Sequence, residues 1–151
     1  MAISQAMVTS FKVEILDGVH NFGVGVVRAS TAADVFKLAL YTSSATLGAA
    51  TTAYTTSDEV SSSGTNYTAG GLTLTISQVP TSTGTTAWLD FDDLTFPSAT
   101  LTARGALIYN ATQSNKAVAV LDFGSDKTST AGNFTIQFPT ANSTSAILRI
   151  A

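Results

Sequence analysis

Phe36-Lys37-Leu38-Ala39-Leu40-Tyr41-Thr42 alternates at every second position, placing Phe36, Leu38 and Leu40 on one face of an extended strand. Further segments rich in Thr, Val, Ile, Phe and Leu lie on both sides of it: Thr51 to Thr55, Leu72 to Val79, Ala87 to Asp92, Leu101 to Tyr109, Ala117 to Phe123, Phe134 to Phe138 and Ala146 to Ile150. Turn-forming clusters separate them, among them Ala69-Gly70-Gly71, Pro80 to Gly84, Pro97-Ser98, Asn110 to Asn115, Gly124-Ser125-Asp126 and Gly132-Asn133. Seven or eight short strands with such regular punctuation predict a mainly β protein, an antiparallel β-sandwich. An α/β fold would need amphipathic helices between successive strands, where this sequence offers Ser, Thr, Gly and Asn.

Ahead of the strands, Ile3, Met7, Phe11 and Ile15 recur at four-residue steps and are joined by Val8 and Leu16. That stripe predicts a short amphipathic helix from Ile3 to Leu16, stopped at Gly18. The expected organisation is one domain over 1–151: helix and exit at 1–22, a Gly-containing connector at 23–35, and the sandwich at 36–151. A helix with one apolar face needs a surface to cover it. Met7, Phe11 and Ile15 are therefore the expected anchors on a partner or sister chain, the alternative being that they dock on the chain's own sandwich.

Of 151 residues, 44% are apolar and 11% charged, against the roughly 25% charged that is usual, while Ser and Thr fill about a quarter. Seven Lys and Arg on a chain of net charge −3 cannot form a phosphate-tracking stripe, which argues against nucleic acid. No Cys is present, so thiolate chemistry, thiolate zinc sites and disulfides are excluded. The first sixteen residues lack a basic leader, and no apolar run is long enough to span a bilayer, so folding in a cytoplasm without membrane association is expected.

The constellations that might carry chemistry all have simpler structural readings. Asp90, Asp92 and Asp93 form the acidic cluster, but calcium wants more ligands, and alternation alone would point Leu89 and Phe91 inward and the acids outward. His20 is the sole histidine and sits where a side chain caps helix carbonyls. Gly23-Val24-Gly25 lacks the third glycine of a dinucleotide fingerprint, and Asp122-Phe123-Gly124 lacks every companion motif of a kinase. The Asn-x-Ser/Thr triplets at Asn66, Asn110, Asn133 and Asn142 follow from composition. Trp88, Phe91, Phe96, Tyr109, Phe123, Phe134 and Phe138 are candidates for a sugar-binding aromatic surface, to be tested at Trp88 and Tyr109, with core filling as the default. No catalytic, cofactor or metal residue is assigned.

Several strings carry a resemblance. Ser10-Phe11-Lys12 with Gly18-Val19-His20-Asn21-Phe22, the strand from Phe36 to Thr42, Tyr67-Thr68-Ala69-Gly70-Gly71, Phe91-Asp92-Asp93, Thr102 to Asn110, Ala119 to Gly124 and Phe134 to Pro139 together span nearly the whole chain. In these words the sequence resembles a family of small uncharacterised proteins from the structural gene modules of tailed bacteriophages. The resemblance implies a virion component and transfers no site.

On that basis the expected role is capsid decoration. The chain would bind the major capsid protein or another virion protein as a symmetric homo-oligomer, such as a trimer at capsomer junctions, stabilising the shell through many weak contacts. A tail, baseplate or head-tail connection component is the alternative among structural proteins. Readings of other classes are a carbohydrate-binding module for host attachment and a hydrolase built on Asp90 to Asp93.

Overall fold

In a computed structural model the described residues are 2–16, 19–23 and 33–150. The predicted stop at Gly18 and residues 24–32 of the predicted connector lie outside them. In chain order the elements are β1 (Ala6–Met7), α1 (Thr9–Leu16), β2 (Phe36–Tyr41), β3 (Leu72–Thr73), β4 (Ile76–Thr83), β5 (Thr86–Phe91), β6 (Leu94–Asn110), β7 (Lys116–Ile136) and β8 (Leu148–Ile150). They form a five-stranded sheet in the order β1-β7-β6-β2-β3 and a three-stranded sheet in the order β4-β5-β8. Every pairing between these named strands is antiparallel, so the sandwich-like, mainly β architecture expected from the alternating segments is present.

The centre of the large sheet is covered on both faces. Phe36, Leu38, Ala39, Leu40 and Tyr41 of β2 are all fully buried, as are Ala106, Leu107 and Ile108 of β6 and Ala117, Val118 and Val120 of β7. Such strands read as continuous apolar runs because neither face meets water. On one face the Phe36 ring stacks on Phe22 at 4.2 Å and lies 6.0 Å from Phe91 of the small sheet. On the other, the Tyr41 hydroxyl donates to the Thr55 carbonyl at 2.6 Å, holding the long loop after β2 against the sheet. Each large side chain buried here contributes about 1.5–3 kcal/mol relative to exposure.

Several boundaries differ from the sequence reading, each for a visible reason. The helix begins at Thr9 instead of Ile3, because the backbone of Ala6 and Met7 pairs with Val120 and Ala119 of β7 and Ile3 bridges Leu47. Neighbouring strands claim hydrogen bonds that a helical turn would have used. Thr51 to Thr55 is no strand: one bridge, Ala53 to Lys116, is all that it makes.

The three predicted strands Leu101 to Tyr109, Ala117 to Phe123 and Phe134 to Phe138 are parts of a single hairpin with arms of 17 and 21 residues. Only the predicted turn after Asn110 is its loop, where Ser114 and Asn115 take φ of 53° and 58°. Pro97-Ser98, Gly124-Ser125-Asp126 and Gly132-Asn133 fall inside the strands. The pairing shifts register between Phe96 and Ala99, between Ala99 and Leu101, and between Ala103 and Gly105. Turn-type residues are serving as β-bulges, with Ser98, Gly124 and Ala131 at φ of 50°, 74° and 48°. Likewise Pro80 to Gly84 is not all turn, since β4 continues to Thr83.

Candidate functional site

The sequence-predicted anchors Met7, Phe11 and Ile15 meet at one cleft of about 200 Å³. Its other walls are Trp88 and Leu89 of β5 and Leu148 and Ile150 of β8, with His20 and Phe22 at the helix exit. Strand β1 supplies Met7 and helix α1 supplies the other two, so the four-residue spacing survives although half of it is not helical. Phe11 is 1% exposed and meets His20 edge-on at 4.7 Å and Phe22 at 6.0 Å. It belongs to the chain's own core, whereas Met7 and Ile15 are only partly buried. The indole Nε1 of Trp88 and the hydroxyl of Ser10 are buried without a hydrogen-bond partner.

Behind the cleft lies a polar latch. Asn110, fully buried at the end of β6, accepts the Thr112 and Gln113 N–H groups on its oxygen, both at 3.1 Å. That fixes the amide orientation, so its Nδ2 is the donor to Asp34 Oδ2 at 2.8 Å and to His20 Nδ1 at 3.0 Å. His20 Nδ1 is therefore an acceptor, which assigns its ring proton to Nε2. Asp34 Oδ2 also takes the Asn21 N–H at 3.1 Å. The latch ties the helix exit to the β6–β7 turn.

On the opposite face all four tyrosines of the chain gather around Glu59. Tyr54 donates to Glu59 Oε2 and Tyr67 to Oε1, both at 2.6 Å, and the Gly70 N–H donates to Oε1 at 2.6 Å. Tyr109 donates to the Gly70 carbonyl at 2.8 Å and stacks on Tyr54 at 4.8 Å. Burial first, and then the bond to Glu59, hold the Tyr54 and Tyr67 hydroxyls well above the usual phenol range. Such phenols stay protonated donors, and with the Gly70 N–H they give the carboxylate three donors. This hub was not legible in the sequence, because its bonded members lie at irregular spacing in the long loop between β2 and β3 and the surrounding Tyr41 and Tyr109 come from β2 and β6.

The remaining candidates do not assemble. Asp90 is buried at 1% exposure, while Asp92 and Asp93 are exposed. Asp93 accepts the Phe138 N–H at 2.8 Å. Among the described residues no group of three His, Cys, Asp or Glu side chains is placed to hold a metal ion. Desolvation raises the Asp90 pKa, opposed by the Phe91 and Ile147 N–H groups and reinforced by Asp93. The expectation that alternation leaves Asp90 on a wet face is thus corrected. Tyr109 is buried against Tyr54 and offers no exposed ring for a sugar, and Trp88 lines the apolar cleft.

No family model matches the chain, and no curated protein or solved structure does either. What the geometry defines is a class: a two-sheet, mainly antiparallel β protein with a long bulged hairpin and an apolar cleft beneath a short helix. No described helix is long and apolar enough to cross a membrane.

Proposed function

We propose that this chain is a structural component of a tailed-phage particle, a decoration protein that binds the shell as a symmetric homo-oligomer and carries out no reaction. The observation that carries this reading is the outer face of the β6–β7 hairpin. There Thr95 and Thr135 pair through their hydroxyls at 2.9 Å, as do Thr102 and Thr128, and Thr100 accepts the Ala131 N–H at 2.9 Å. The result is a long wall of short, mutually bonded side chains. Groups of this kind lose little side-chain entropy and little hydration when covered, so the wall suits broad, repeated contact with a neighbouring protein.

The resemblance to virion-module proteins supports the same reading, and the partner it implies is the major capsid protein or another virion protein. Quantifying the chain in purified particles by mass spectrometry, with immunogold labelling for position, tests it. On the order of hundreds of copies on the head is the expected result for a shell-covering protein. A small ring number at the tail or neck would move it off the shell, and particles that lack the chain would end the proposal.

A further inference from the structure

Phe123 and Phe134 stand eleven positions apart on β7, yet their rings lie 6.4 Å from each other, inclined at 49°. Along a straight strand they would be roughly 35 Å apart. Bulges close the distance. Five steps of β7, from Asp122 to Lys127, face two of β6, from Gly105 to Ala103, and three from Ser129 to Gly132 face two from Leu101 to Ala99. The surplus bends β7 around a hollow of about 410 Å³ lined by Phe123, Lys127, Phe134, Thr135, Ile136 and Gln137.

The lining is divided in its chemistry. Phe134 and Ile136 are buried and Phe123 is half-buried, whereas Lys127, Thr135 and Gln137 are exposed. The Lys127 ammonium bonds the Ser125 hydroxyl at 2.9 Å and, among the described residues, pairs with no carboxylate. Among the same residues the Gln137 amide has no hydrogen-bond partner. No acid lines the hollow: Asp122 is held by Arg104 at 3.1 Å, and Asp126, although next to Lys127 in the chain, lies outside the lining.

We infer that this hollow binds an acidic saccharide, a sugar ring carrying a carboxylate. A pyranose presents a face of C–H groups, which packs on an aromatic ring, and an edge of hydroxyls, which need both donors and acceptors. Phe123 offers the ring, and the Gln137 amide and Thr135 hydroxyl each donate and accept. Lys127, a cation without an acidic partner beside an apolar wall, favours an anion over a neutral sugar. A purely apolar molecule would cover these polar groups and leave them without partners. An acidic peptide has the charge but no rigid C–H face for Phe123, and it loses chain entropy on binding. So open a site binds in about the millimolar range, and many copies on one surface multiply that weak hold.

The inference goes beyond the proposed structural role and does not depend on it, since the isolated chain binds the sugar whether or not particles carry it. Amide NMR titration with cellobiouronic acid, and with cellobiose, which differs only in lacking the carboxylate, tests it. The acidic sugar is expected to shift amides at 123–127 and 134–137 and to bind about 10-fold more tightly than the neutral one. Lys127→Gln should remove that preference, and Gln137→Ala should weaken both sugars about 3-fold. Phe123→Ala should abolish binding, but Phe123 also packs on the core, so the two exposed variants decide the matter if that protein does not fold. No response to cellobiouronic acid, shifts confined to another face, equal affinity for cellobiose, or an undiminished preference in Lys127→Gln would overturn the inference. So would tighter binding of tetraglutamate at the same residues.

Discussion

Tyr67 donates its hydroxyl proton to Glu59 at 2.6 Å while the same oxygen accepts the N–H of Leu40 at 3.0 Å. One phenol therefore joins the centre of β2 to a loop residue nineteen positions further along the chain. The segment between β2 and β3 contains no named strand, so its order depends on such contacts and on Tyr54 and Gly70, which share the same carboxylate.

Glu59→Ala strands three donors at once, two phenols and a backbone N–H. Its expected cost is about 3 kcal/mol, since hydrogen bonds to a charged group are each worth roughly 1.5–3 and some relaxation will follow. Glu59→Gln keeps one accepting oxygen and should lose about half as much. Urea unfolding of both variants checks the order. Equal stabilities for wild type and Glu59→Ala would mean that the hub is incidental to the loop's position.

Gly71 and Gly64 separate two costs that are usually confounded. Both have positive φ, 70° and 72°, but a Cβ at Gly71 would overlap the Leu38 carbonyl of β2, whereas at Gly64 it meets nothing within 4 Å. Gly64→Ala should cost about 1 kcal/mol, the conformational penalty alone. Gly71→Ala should cost at least about 3 kcal/mol or prevent folding, because backbone on both sides cannot yield. Thermal melts of the pair give the comparison, and similar melting temperatures would contradict the close approach.

How much of this was legible beforehand depended on whether a local pattern or a distant partner fixed each element. Phe36 to Tyr41 alternates strongly enough to be read as a strand in isolation, and the Asn110 to Asn115 turn carries its own left-handed residues. Bulges defeated the rest of β6 and β7: Gly124 and Ser98 look like turn residues, and only the facing strand reveals that pairing continues past them. Met7 kept its place beside Phe11 and Ile15 although it is a strand residue, so the apolar spacing located the cleft while misassigning its backbone. The Asn110 centre had no linear signature because Asp34 and His20 lie 76 and 90 residues away, and the Glu59 hub had none because Tyr54, Tyr67 and Gly70, although only 5 to 11 residues away, follow no strand, helix or turn period.

Asn110 offers a sharp test of the latch. Asn110→Ala would leave the Thr112 and Gln113 N–H groups and the Asp34 carboxylate without it, where Asn110 itself is fully buried, and a loss of about 2–3 kcal/mol is expected. Asn110→Asp preserves shape and the two N–H acceptors but turns the donor toward Asp34 into a second acidic oxygen at about the same 2.8 Å. At neutral pH it should be at least as damaging as alanine. A Asn110→Asp protein as stable as wild type by denaturant titration would show that the Asp34 contact contributes nothing.

Asp90 and Asp122 predict opposite slopes of stability with pH. The Gly124 N–H, first, and then Arg104, whose Nε lies 3.1 Å away, hold the Asp122 carboxyl below the usual carboxylate range. Its contribution is therefore present above about pH 4, where the unfolded chain is already ionised, and is lost as pH falls through the lower folded value. Desolvation holds Asp90 above that range, so its folded form keeps a proton that the unfolded chain releases near pH 4. Stability then falls as pH rises from there to the raised folded value and is level beyond it. Measured against wild type, Asp122→Asn should cost progressively more as pH rises toward about 4 from below, whereas Asp90→Asn should gain relative to wild type as pH climbs above about 4. A constant difference between Asp90→Asn and wild type as pH rises above about 4 would show that Asp90 ionises as readily inside the small sheet as in water.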